Sequence, residues 1–159
     1  MDFKHVFKAD SVVKTLVLSV LTFGIYFIYK LYQFSTQINH NTQLKISTTF
    51  MGIAIVLFAM ALSSLIYAIV NFHDPLILKG SIGIHLISTV FDMVWIFMVR
   101  NHINCISGAN KGDPLWLNPF ITSFFHVIYM QHKINQGLSY SLQAPNQTDD
   151  RQTNKEVVT

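Results

Sequence analysis

Residues 46–73 read ISTTFMGIAIVLFAMALSSLIYAIVNFH, 28 consecutive positions without a charged side chain. An α-helix rises about 1.5 Å per residue, so about 20 apolar residues cross a hydrocarbon core, and this stretch exceeds that need. Its interior repeats small residues four apart, Ala59 with Ser63 and Ser64 with Ala68, the spacing that lets two membrane helices approach closely. The stretch therefore reads as a membrane-crossing helix, and the chain on either side is read outward from it.

On its C-terminal side Asp74 and Pro75 mark a turn, because proline cannot continue a helix. A second apolar block follows from Gly80 to Val99, between Lys79 and Arg100, with Asp92 as its one charge. The two blocks make a helical hairpin. Two weaker blocks flank it: Thr15 to Tyr29, with 15 uncharged positions, and Pro114 to His132, with 19. Both are amphipathic. Lys14, Thr15, Ser19, Thr22, Tyr26, Lys30 and Gln33 recur at steps of mostly three or four, as do Asn118, Thr122, His126, Tyr129, Lys133 and Gln136.

The expectation is an all-α, polytopic helical membrane protein with one domain over residues 1–142. It has four membrane-embedded helices near 12–33, 47–72, 78–99 and 114–132, the middle two spanning. A polar, disordered tail covers 143–159.

Composition agrees: 51% of the residues are hydrophobic and only 12% charged, about half the charge of an average soluble chain. The 11 basic residues are singletons, not the clusters that neutralise successive phosphates, so nucleic-acid binding is excluded as a leading function. A lone Cys105 permits no intrachain disulfide and reads as a small apolar filler. Lys4, Lys8 and Lys14 precede an apolar run that lacks a small-x-small cleavage site, so the first segment is expected to remain in the membrane.

Cytoplasmic connections retain Lys and Arg. If all four blocks span, the basic residues divide seven against four; if only the middle two span, they divide ten against one, with Lys79 alone. Both arrangements place the N- and C-termini in the cytoplasm, and the number of crossings stays open between two and four.

Three block ends resemble one another: Gln37-Ile38-Asn39, His102-Ile103-Asn104 and Lys133-Ile134-Asn135. They read as a degenerate repeat. The first block also carries Thr22-Phe23-Gly24-Ile25-Tyr26, followed by an aromatic run to Tyr32. This Thr-x-Gly-Ile-Tyr pattern, Thr22, Gly24, Ile25 and Tyr26, resembles the first segment of a bacterial family of small multi-pass inner-membrane proteins, the domain of unknown function 4234. The resemblance covers residues 12–39, with a weaker echo at 114–137, where Asn118-Pro119 and Thr122-Ser123 depart from the pattern. It implies a bacterial inner-membrane protein and carries over no activity or functional residue.

An ionisable residue inside a membrane helix is a functional candidate because placing it there costs about 3 kcal/mol. Asp92 leads, sharing a helix face with Ser81, His85 and Thr89. An antiparallel hairpin centred near Pro75 is expected to bring Ser64 and Tyr67 level with His85, and His126 can approach if the last block packs inside. The candidate intramembrane polar site is thus His85, Asp92, His126 and Tyr67, and the packing residues are Ala59, Ser63, Ser64 and Ala68. Trp95 and Trp116 read as interface anchors.

No metal-ligand spacing, nucleophile elbow, Walker loop or dinucleotide fingerprint occurs, so no catalytic residue, cofactor or metal is expected. The leading expectation is a non-enzymatic membrane accessory or interaction protein that binds the lipid bilayer and assembles with itself or with a membrane protein partner. A small proton- or ion-coupled channel or transporter using Asp92 and His85 is the alternative, and a lipid-acting enzyme comes third.

Overall fold

The computed structural model describes residues 3–71 and 73–143, and every regular element among them is helical. The elements are α1 (Phe3–Val6), α2 (Val12–Leu21), α3 (Ile25–Asn41), α4 (Thr48–Val70), α5 (Pro75–Ser107) and α6 (Pro119–Gln143). Of the tail expected at 143–159, only Gln143 lies within the described residues, as the last residue of α6. Two helices, α4 and α5, are long and apolar enough to cross a membrane. Asp74 and Pro75 are more than a turn: the Asp74 carboxylate accepts from the Leu76 N–H as N-cap, and Pro75 takes the first helical position, where its missing N–H costs nothing.

The expected single segment at 12–33 is two helices. The Thr22 hydroxyl donates to Leu18 O at 2.7 Å and accepts from the Tyr26 N–H at 2.9 Å, closing one helix and opening the next. Phe23 and Gly24 between them have φ of 49° and 86°, a left-handed conformation that costs a side-chain-bearing residue about 1–2 kcal/mol and glycine nothing comparable. The chain then doubles back. Lys30 Nζ lies 2.5 Å from Asp10 Oδ2, whereas a straight helix would separate residues twenty apart by about 30 Å. Lys30 is thus ion-paired beside the N-terminal segment.

The last block bends similarly. Inside α6, His126 takes φ 44° and ψ −129°, and beyond it Tyr129 Oη returns to within 3.5 Å of Trp116 O. Among the described residues the chain therefore forms three helical hairpins, turning at 22–24, after Val70 and at His126.

Each hairpin is anchored by the same device. The side-chain amide of Asn39 donates to Ile46 O and accepts from Ile46 N, at 2.8 and 2.6 Å. Asn104 does the same to Leu117, at 3.3 and 2.8 Å, and Asn135 to Asp10, at 2.7 and 3.3 Å. The clamped residues immediately precede Ser47, Asn118 and Ser11, whose side chains cap α4, α6 and α2. Beside each asparagine stands a fully buried isoleucine, Ile38, Ile103 or Ile134, all at most 1% exposed. The three Ile-Asn exits are one structural repeat: the end of α3 holds the start of α4, the end of α5 that of α6, and the end of α6 that of α2. The ring closes on itself.

The core lies at this clamped end, which is called the base below. Leu31, Phe34, Trp95, Ile96, Val99, Leu117, Val127 and Met130 fill it together with the three isoleucines. Trp95 is not an interface anchor: it is 0% exposed and donates its indole N–H to Ser35 Oγ at 2.8 Å. Trp116 instead lies against the Arg100 guanidinium, 5.4 Å from ring centroid to charge, and Cys105 is exposed. Away from the base, α4 and α5 run on together, joined by seven-residue spacings of buried positions, Ala54, Ala61 and Ala68 on one and Ser81, Ser88 and Trp95 on the other.

Candidate functional site

Between the hairpin helices, beyond the base, lies a cavity of about 300 Å³ lined by His85, Ser88, Thr89 and Asp92 of α5 and Phe58, Ala61, Leu62 and Leu65 of α4. Phe23, at the turn of the first hairpin, reaches the same cavity. Helical spacing puts His85, Ser88, Thr89 and Asp92 on one stripe of α5. On the α4 wall Ala61 is the one small side chain among Phe58, Leu62 and Leu65. Ser88 stands one turn before Asp92 on this wall, and the Thr89 hydroxyl donates to His85 O at 2.8 Å.

Two buried atoms in this cavity have no partner, Asp92 Oδ1 and His85 Nε2. An unmet buried polar atom costs roughly 1–3 kcal/mol. A carboxylate and an imidazole on one cavity wall can accept a proton, a small cation, or a donor from another helix.

The other expected members lie elsewhere. Ser64 bonds Ser81, Oγ to Oγ at 3.3 Å, so the helices are offset from the expected register and Tyr67 sits 59% exposed towards the turn, outside the cavity. His126 packs edge-on against Phe27 of α3, with ring centroids 5.2 Å apart, and its Nδ1 has no partner. Of the small-residue pairs, Ala68 is buried and Ser64 reaches α5, whereas Ala59 and Ser63 are exposed on the opposite side of α4. The turn motif is structural: Thr22 caps, Gly24 supplies the left-handed residue, and a Cβ there would meet Phe58 at 3.6 Å.

A second polar cluster, not anticipated from the sequence, ties the first and third hairpins at the base. Lys30, 3% exposed, pairs with Asp10 and lies 3.5 Å from Gln131 Oε1, and Gln131 donates to Asn135 Oδ1 at 2.9 Å. The Lys30 ammonium holds the Asp10 carboxyl below its ordinary range, aided by the Ser11 N–H. Its sequence signals were Lys30 on a polar stripe and Asn135 in the repeated exit, but neither names its partner. Among the described residues no group of three or more His, Cys, Asp or Glu side chains is placed to hold a metal ion.

The turn at 22–24 and the entry into the long hairpin together delimit a recognisable unit. Residues 10–75 match the family model for the domain of unknown function DUF4234. The DUF4234 match agrees with the resemblance carried by Thr22, Gly24, Ile25 and Tyr26, and extends it through α4 to the first residue of α5. It begins at Asp10, the residue clamped by Asn135, and leaves the cavity's α5 wall outside. No curated protein and no solved structure matches the chain.

Proposed function

We propose that this protein is a non-enzymatic membrane accessory or interaction protein that assembles with itself or with a larger membrane complex through the α4–α5 hairpin. One observation carries the reading: Asp92 Oδ1 and His85 Nε2 are unmet on a hairpin whose apolar windows are only 17% and 22% buried within the chain. The core helix of a soluble protein is mostly buried; these two show apolar side chains outward, as helices bathed in lipid do. A neighbouring membrane helix offering a hydroxyl or amide would relieve both atoms, which is how polar residues commonly act between membrane helices.

In this reading the protein is a multi-pass bacterial inner-membrane protein with both termini cytoplasmic. Only α4–α5 crosses, and the two short hairpins enter from the base side without traversing. The ten-to-one division of basic residues supports that orientation. Extraction in a mild detergent followed by mass measurement tests the assembly. The expected result is a self-associated or partner-bound species that loosens in Asp92→Leu; a strict monomer with nothing co-purifying would refute it.

A second reading, a small proton- or ion-coupled channel or transporter, is favoured by the shared cavity of His85, Ser88, Thr89 and Asp92. It requires proteoliposome flux that falls in Asp92→Asn. Unchanged flux in that variant removes it.

A further inference from the structure

The two short hairpins, like the long one, carry apolar side chains that nothing among the described residues covers. On the first, Val13, Val17, Val20 and Leu21 of α2 are exposed, and Phe23 at its turn is 84% exposed. On the third, Phe120, Phe124 and Phe125 are exposed along the limb that leads to His126. The two tips stop at one level. A Cβ on Gly24 would meet Phe58 of α4 at 3.6 Å, and His126 packs on Phe27, three residues after Gly24. Phe58 lies ten residues beyond Thr48, the start of α4, a rise of about 15 Å, or half of a hydrocarbon core about 30 Å thick. Beyond that level only α4 and α5 run on, among the described residues, to the turn after Val70.

Charge identifies what covers these faces. The base from which all three hairpins rise exposes Lys8, Lys14, Lys45 and Lys111 against Asp113, while the Asp10 carboxylate is neutralised by Lys30. A protein partner would cover one face; a slab of acyl chains topped by anionic head groups covers the faces of all three hairpins and meets the lysines at its rim. From this geometry we infer that the chain is a wedge, filling the base-side leaflet of an anionic bilayer far more than the opposite one. The base-side leaflet takes six helical limbs, two from each hairpin, and the other leaflet takes only α4 and α5. With a helix about 10 Å across, the four additional limbs displace roughly 300 Å². Area inserted into one leaflet bends a bilayer towards that leaflet, so the protein prefers membrane that is convex on its base side and promotes such curvature where it is dense. The inference rests on the membrane placement and the crossing pattern proposed above, but not on assembly.

The test is dilute reconstitution of the full chain into small and into large vesicles containing anionic phospholipid, with Gln43→Cys at the base and Cys105→Ser elsewhere. An impermeant maleimide then counts the copies whose base faces outward. In small vesicles, whose outer leaflet is strongly convex, base-outward copies are expected to exceed base-inward copies about threefold, a bias of roughly 0.7 kcal/mol. In large vesicles the ratio should fall towards unity. Phe23→Glu combined with Phe124→Glu, at two exposed positions, should leave the base intact and abolish the bias, because carboxylates at those positions draw the short hairpins out of the acyl chains. Asp92→Leu, which loosens assembly in the reading above, should retain it. An equal ratio in small and large vesicles overturns the inference. So does full bias in the double glutamate variant, which assigns the effect to the bulk of the base, or its loss in Asp92→Leu, which assigns it to assembly. Recovery of the chain outside the vesicles refutes the membrane placement itself, which separates the two failures.

Discussion

The base and the outer hairpin use similar apolar side chains to opposite ends. At the base Leu31, Trp95, Val99 and Leu117 are all 0% exposed, whereas Val70 is 74% and Leu76 80% exposed beyond it. In water the first set drives folding and the second opposes solubility. In the membrane placement proposed above, burying apolar surface between helices brings no hydrophobic gain, and close packing and hydrogen bonds would hold the outer hairpin instead. Mutations of equal size should therefore have unequal consequences in the two regions.

The largest expected effect is Trp95→Ala, which empties the centre of the base and removes the indole donor to Ser35 Oγ, whose hydroxyl keeps only its bond to Leu31 O; about 3–5 kcal/mol of stability is lost, measurable by reversible unfolding in mixed micelles. Leu86→Ala, at an exposed position of α5, should move the same transition by less than about 0.5 kcal/mol. Comparable losses at the two sites would break the comparison. Asp10→Ala comes next, since it leaves the Lys30 charge buried and unpaired, at about 3 kcal/mol. The pH dependence has a defined sign: Asp10 is held below its ordinary value, so the stability it confers is present above the unfolded carboxylate value near 3.9 and is lost as pH falls below it. That acid-sensitive increment should disappear in Asp10→Asn. Smaller still are the clamps: Asn39→Ala, Asn104→Ala and Asn135→Ala each remove a two-point bond to the backbone and should cost about 1–2 kcal/mol apiece. If one of them costs nothing, the threefold device is not shared by all three hairpins.

Much of this was legible in the sequence where physics acts locally. The 46–73 stretch announced α4 through its length without charge, and the Gly80–Val99 block announced the middle of α5. The repeated Ile-Asn exits were visible as a pattern, but their meaning depends on Ile46, Leu117 and Asp10, partners set by tertiary folding. The break at Gly24 was quoted as a motif and read as continuous helix, because a single glycine within an apolar run is compatible with either. His126 gave less warning, since neither its identity nor its neighbours demand a positive φ. In the candidate site Asp92, His85 and Thr89 were found by helical periodicity, and Ser88 was overlooked although it lies on the same stripe, three residues after His85 and four before Asp92. Tyr67 and His126 were misplaced because hairpin register and the fold of α6 are long-range properties.

The central claim is that three hairpins enter from one side and only α4–α5 passes through. With Cys105 replaced by serine, single cysteines at Phe23, Gln43, Leu76 and Asn110 can be probed with a membrane-impermeant maleimide in right-side-out and inverted vesicles. Gln43→Cys and Asn110→Cys should react from one face, Leu76→Cys from the other, and Phe23→Cys from neither. Labelling of Phe23→Cys from the face that reaches Leu76→Cys would contradict the account, because the first hairpin would then cross the bilayer.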